Sequence, residues 1–221
     1  METETMQTEG ATTKKIVKVY QDSDPSSPRE DCNLGTIAYK HSRYNLGEEK
    51  IDDPIEWLED MLGLERKYIY SDERLAELEE KFFVKYIALP IYIYDHSGVA
   101  ISTTPFGCRW DSGKVGYIYI SKADALKEYG GKIVTKKLRE RIEGYLKGEI
   151  ETYSRYLSGD VYGFRVFEIE ADEDGDFDED NEDNEIDSCW GFYGSDFLNN
   201  GMADHIDKEL HEQLKGIEIS Y

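Results

Sequence analysis

The sequence predicts an α+β fold: a single domain with a mainly antiparallel sheet and packed helices. Three observations carry that expectation. The 221 residues are 39% hydrophobic and 13% aromatic, enough for a packed core. The middle of the chain is rich in strand patterns: VKYIALPIYIY (84–94), VAIST (99–103) and VGYIYI (115–120). The turn Asp95-His96-Ser97-Gly98 joins the first two as a hairpin, and helical patterns are mixed with this hairpin-rich centre.

Residues 1–14 are polar and rich in Thr and Glu, and read as a disordered tail before a domain spanning 15–221. Ile16 to Tyr20 opens a strand, DSDPSSP (22–28) is a loop, and Leu34 to Tyr39 is a second short strand. Asp53-Pro54-Ile55-Glu56 then starts a helix, with Asp as N-cap, Pro in the first helical position and Glu in the first turn. Gly63 stops it. A second helix starts at Ser71, with Asp72 and Glu73 at its positive dipole end, and closes near Phe82.

In IYIY (91–94) and YIYI (117–120), Ile occupies one face and Tyr the other. The Ile face belongs to the core, and the Tyr face is either covered by a helix or open to a partner, a second copy included. Ser121 opens a short helix that Gly130-Gly131 ends. Thr135 to Leu157 is the longest helix, with Ile142, Tyr145, Leu146, Ile150, Tyr153 and Leu157 on one inward stripe. Val161 to Glu170 and Cys189 to Tyr193 form a strand and its return. Ser195 caps a last helix to about Lys215, and Ile217 to Tyr221 closes the chain as a strand.

Charge restricts the function. Forty-eight Asp and Glu against 26 Lys and Arg give a formal net charge of -22. Half the excess sits in Asp172–Asp187, where eleven of sixteen residues are acidic and none is basic. Such a chain repels nucleic acid and anionic membranes, so neither is expected as a direct partner. A basic protein, in particular one that itself binds nucleic acid, is. No apolar run reaches membrane-spanning length, and the N-terminus has no secretory h-region. Cys32, Cys108 and Cys189 lie far apart, which fits a reduced cytoplasmic protein and no zinc motif.

The acidic run reads first as a solvated, disordered loop (171–187) inside the hairpin of the last two long strands. It also carries calcium-loop spacing. With Glu170 in position one, Asp172, Asp174, Asp176 and Asp178 occupy three, five, seven and nine, and Gly175 falls at six. Asn181 stands where a bidentate Glu is required, so weak calcium binding is the most that the spacing implies, and no other cofactor is expected.

A second group of polar turns could carry hydrolytic chemistry. Asp95, His96, Asp111 and Ser112, joined by Arg43 if the fold brings it to them, supply carboxylates, an imidazole, a hydroxyl and a cation, and Cys108 adds a thiol. No GxSxG elbow frames Ser112, and turns need Asp and Gly for their own geometry. His41 reads as part of a polar network, and His205 and His211 as surface residues. No glycine-rich phosphate loop occurs.

Six segments are similar, in order, to a family of bacteriophage and prophage proteins of no assigned activity. They are Pro28–Asp31 with Asn33–Thr36, Arg43–Gly47, Tyr94–Gly98, Trp110–Gly113, Gly159–Gly163 and Ser188–Gly194. The chain departs from the family at Cys32, where an aromatic is expected, and in the long acidic run, where relatives have a short hairpin. The resemblance implies a viral protein at work in the cytoplasm of a bacterial host, and it transfers no catalytic residue.

Three functions follow as expectations. An acidic protein in that setting is suited to occupy the nucleic-acid groove of a host restriction, CRISPR, nuclease or polymerase component. A small hydrolase would use the turns around Asp95 and Asp111. A structural or assembly protein would oligomerise through the Tyr-bearing sheet face.

Overall fold

The computed structural model describes residues 13–108 and 110–217. The fold is α+β with mostly antiparallel sheets, as expected. The chain divides into two compact units: Ser27–Ser158, and a second unit made of the flanking segments Met1–Ser26 and Gly159–Tyr221.

The central unit contains β2 (Thr36–Tyr39), β3 (Glu49–Lys50), α1 (Pro54–Leu62), α2 (Asp72–Lys85), β4 (Tyr86–Asp95), β5 (Val99–Ser102), β6 (Ser112–Ser121), α3 (Lys122–Tyr129) and α4 (Lys136–Ser158). Its sheet has the order β3-β2-β6-β4-β5, and every pairing is antiparallel except β2 with β3. The alternating strands sort their side chains by face. Ile37, Ile91, Ile118 and Ile120 pack with Ile142, Leu146 and Ile150 of α4. On the other face Tyr117 packs with Trp57 of α1 and with Leu78 and Phe82 of α2. The Trp57 and Tyr117 rings stack at 5.5 Å and 8°. Helices therefore cover the Tyr face at β6.

Local signals explain the helix ends. Asp53 Oδ1 accepts the N–H groups of Ile55 at 2.9 Å and Glu56 at 3.2 Å. Gly63 takes φ 70°, the left-handed stop that a side chain would disfavour. Ser71 and Ser121 cap α2 and α3 in the same way. The stripe Leu75, Leu78, Phe82 carries α2 through Lys85, so β4 begins at Tyr86 rather than at Val84.

The second unit has β1 (Thr13–Gln21), β7 (Val161–Glu170) and β8 (Glu185–Tyr193) in the order β1-β7-β8, all antiparallel. One face (Val17, Val19, Phe164, Val166 and Phe192) packs with Met202, Ile206, Leu210 and Leu214. Those four do not form the long helix expected from Ser195 to Lys215. Met202 lies on one 3-10 segment, Met202–His205, which Ile206 caps, and Leu210 and Leu214 lie on another, Lys208–Leu214. Asn199-Asn200-Gly201 breaks the helical path: Gly201 sits at φ 96°, and Asn200 Oδ1 takes the Met202 N–H at 3.0 Å. The apolar spacing still delivers the same residues to the core.

β8 begins at Glu185, four residues before the expected return strand, so it starts inside the acidic run. Thr13 and Lys14, expected in the tail, belong to β1, while residues 1–12 lie outside the described residues. So does the expected final strand beyond Ile217.

Candidate functional site

Charge separates between the two units. The central unit has 23 acidic and 20 basic residues, nearly balanced. The flanking unit has 25 acidic against 6 basic residues and so carries -19 of the total -22. The acidity outside the run is thus not spread evenly over the protein, contrary to a simple reading of composition.

Within the flanking unit, the acidic run folds back as a strap over the outer face of the three-stranded sheet. That face is set by strand alternation: Lys14, Ile16, Lys18 and Tyr20 on β1 stand opposite Ile169, Phe167, Arg165 and Gly163 on β7. Phe177, an aromatic within the acidic run, packs against the cluster Ile16, Phe167 and Ile169. A bridge between Ala171 and Phe177 turns the chain there. Glu179 pairs with Lys14. Glu182 takes Lys18 Nζ at 3.0 Å and the Tyr20 hydroxyl at 2.6 Å, and Arg165 Nη1 lies 3.5 Å from its other oxygen. Glu185 completes the set on Arg165.

The electrostatics follow from these bonds. The Tyr20 bond, then that of Lys18, holds Glu182 below the ordinary glutamate range. The Lys14 bond does the same for Glu179. Burial and then Glu182 push Tyr20 up to about 12. At the far end of this face Trp190 of β8 lies against Gly163, where a Cβ would overlap its ring, and 6.4 Å from the Tyr20 ring.

The residues with calcium-loop spacing bond their own backbone. Asp172 Oδ1 accepts the backbone N–H groups of Asp174 and Asp176, both at 2.9 Å, and Asp178 Oδ1 accepts that of Asp180 at 3.1 Å. These are the self-contained turns short carboxylates make with their own backbone. Glu170 ends β7. Among the described residues no group of three or more His, Cys, Asp or Glu is arranged to hold a metal ion.

In the central unit the polar turns do converge. Arg43 pairs with Asp95, whose other oxygen takes the Tyr44 hydroxyl at 3.1 Å. His96 Nδ1 and Cys108 Sγ both lie 3.5 Å from Asp111 Oδ2. The Asp95 N–H donates to the Asp111 carbonyl at 2.9 Å, which ties the two turns together at the end of β4 and β6. A nucleophile triad has the imidazole between nucleophile and carboxylate. Here the carboxylate is in the middle. Ser112, on β6, donates its hydroxyl to the Cys108 carbonyl and so braces the turn. Trp110 beside it is 95% exposed.

Sequence reasoning missed the face beneath the strap. The alternation Lys14-Ile16-Lys18-Tyr20 is visible in the chain, as is the lone Phe177 amid carboxylates. What was absent was a reason to join segments some 160 residues apart. It also missed the role of Arg29. This guanidinium is 8% exposed and bonds Glu48 at 2.7 Å, Asn33 at 3.0 Å, Glu149 at 2.9 Å and the Gly35 carbonyl at 2.7 Å. Glu149 in turn accepts the Leu34 N–H at 2.6 Å, so the PRED and NLGT segments are a structural knot on α4.

No helix among the described residues is long and apolar enough to cross a membrane. No family model, curated protein or solved structure matches the chain.

Proposed function

We propose that this is an acidic, phage-encoded binding protein that acts in the host bacterial cytoplasm. Its flanking unit occupies the basic, nucleic-acid-binding surface of a host protein such as a defence nuclease. One observation carries the reading: 25 acidic residues against 6 basic ones in that unit, beside a central unit close to neutral. Every Asp and Glu from Asp172 to Asp187 is exposed. Duplex DNA presents about one charge per 1.7 Å, and a carboxylate-dense strap offers a basic groove a comparable field. Association steered by such a field is fast at low salt and fades as salt rises.

The test is affinity capture from bacterial lysate with the whole chain at low and high salt, followed by competition. A captured nucleic-acid-binding protein released both by salt and by added duplex DNA supports the proposal. A partner that duplex DNA fails to displace sinks it.

A second reading rests on the convergence of Arg43, Asp95, His96 and Asp111. In a small hydrolase, His96 would move a proton while Arg43 held an anionic group of the substrate. Alanine at His96 and at Asp111 should then abolish hydrolysis with the melting temperature kept. Hydrolysis that survives both changes removes this reading.

A further inference from the structure

The cations beneath the strap are its ionic partners within the chain. Five of the six basic residues in the flanking unit have acidic partners, and three of them (Lys14, Lys18 and Arg165) stand on one sheet face and are held by strap or β8 carboxylates. Lys14 and Lys18 are four strand residues apart, about 13 Å. Arg165 faces Lys18 from β7, and an apolar pocket of Ile16, Phe167 and Ile169 receives Phe177.

We propose that this face is an internal stand-in for the partner's surface, and that the strap engages its partner by leaving it. The inference rests on the binding function proposed above and deepens it. It specifies a partner surface with Lys or Arg side chains about 13 Å apart beside a socket for one aromatic ring. The contacts permit exchange. The strap is held by exposed ion pairs, each of small net worth and weakened by salt, by the Tyr20 hydroxyl on Glu182 and by a single half-buried ring. A partner's cations can replace Lys14 and Lys18 one for one, so no carboxylate is left unpaired in the transfer. The closed strap keeps Glu179, Glu182 and Glu185 from indiscriminate basic surfaces, because any occupant must outcompete three cations already in place on them.

The experiment compares the whole chain with K14Q/K18Q/R165Q and with K15Q/K208Q/K215Q, which changes net charge equally within the same unit but leaves the face intact. Two readouts are taken: amide hydrogen exchange over residues 172–184, and affinity for an oligo-lysine peptide. The expected result is faster exchange in the first variant alone, with affinity tighter than in the control variant by about 3- to 100-fold, the range for three exposed pairs. Phe177→Ala, which leaves charge untouched, should move both readouts the same way. Unchanged exchange in the first variant and in Phe177→Ala overturns the latch, whatever the peptide does. Faster exchange with affinity equal to that of the control overturns the competition. Failure of all forms, the unaltered chain included, to bind the peptide counts against the binding function; exchange then judges the latch alone.

Discussion

The Tyr20 hydroxyl donates to Glu182 Oε1 at 2.6 Å, the same oxygen that takes Lys18 Nζ at 3.0 Å. One carboxylate oxygen thus joins the strap to two alternate residues of β1. Burial disfavours the Tyr20 phenolate, and the Glu182 charge disfavours it further, so the phenol remains a donor well past its ordinary range. The arrangement sets both pH limits of the closed strap.

Closure should fail at each end of the scale. Glu182 is held below its ordinary value, so its contribution is complete above the usual glutamate range and is lost as pH falls through its lowered one. Tyr20 is raised from 10.0 to about 12, so its contribution is complete below pH 10 and disappears as pH rises through about 12. Tyrosinate absorbance of the chain and of Tyr20→Phe measures the second limit. The difference between them should titrate near 12; a difference titrating near 10 would show that Tyr20 has no such partner.

Gly163→Ala should unseat Trp190. A Cβ at this position would overlap the indole carbons, and β7 is fixed between β1 and β8 and cannot retreat. Trp190 is 46% exposed, so the ring can swing outward. The cost should lie near the low end for overpacking, about 1 kcal/mol. Near-ultraviolet circular dichroism should lose the Trp190 contribution while far-ultraviolet signal and β7–β8 pairing persist. A full-size loss of cooperativity would mean that Trp190 has no outward path.

Much of the fold is legible because local signals agree with their surroundings. Asp53, Pro54 and Gly63 bound α1 by rules that operate within one turn, and alternation in 117–120 assigns faces that distant helices then cover. Ser195–Lys215 carries a helical spacing as well, yet Asn200 and Gly201 divert the chain, and tertiary packing satisfies the spacing with shorter segments. The candidate site was half legible. Asp95 and Asp111 come together because β4 pairs with β6 as well as with its hairpin partner β5. Glu182 reaches Lys18 only because β1 pairs with β7 across most of the chain, which no local pattern encodes.

Arg29 should be indispensable to the central unit. Its fork holds Glu48 and Glu149 at once, and both carboxylates also accept backbone N–H groups, from Ile37 at 2.7 Å and Leu34 at 2.6 Å. Removing the guanidinium leaves two carboxylates facing each other with part of their charge uncompensated. Arg29→Met should cost about 3 kcal/mol, the lower end for breaking a buried pair, because Glu48 keeps some exposure. Arg29→Lys should recover only part of this, since an ammonium cannot form the same fork. Urea denaturation gives both values. A Lys variant as stable as the parent would show that charge alone is needed.

Tyr117→Phe should weaken the protein near neutral pH and strengthen it in alkali. Tyr117 is 2% exposed, stacks on Trp57 at 5.5 Å and donates its hydroxyl to Glu79 at 2.5 Å, an oxygen also paired with Lys114. Burial first, and the Glu79 bond second, raise its pKa far above the ordinary tyrosine value. A raised value means stability that is complete below about pH 10 and lost above it, because the unfolded chain ionises first. Tyr119, which donates to Glu49 at 3.0 Å on the same face, adds to the loss in the same direction. Phe keeps the stacked ring and cannot ionise. It forfeits one hydrogen bond to a carboxylate that still has Lys114, about 1 kcal/mol at neutral pH. In alkali the order reverses, since the variant no longer carries this linked loss. Denaturant midpoints for both chains near pH 7 and near pH 11 decide it. A variant that remains the less stable at both would place the alkaline sensitivity elsewhere than at Tyr117.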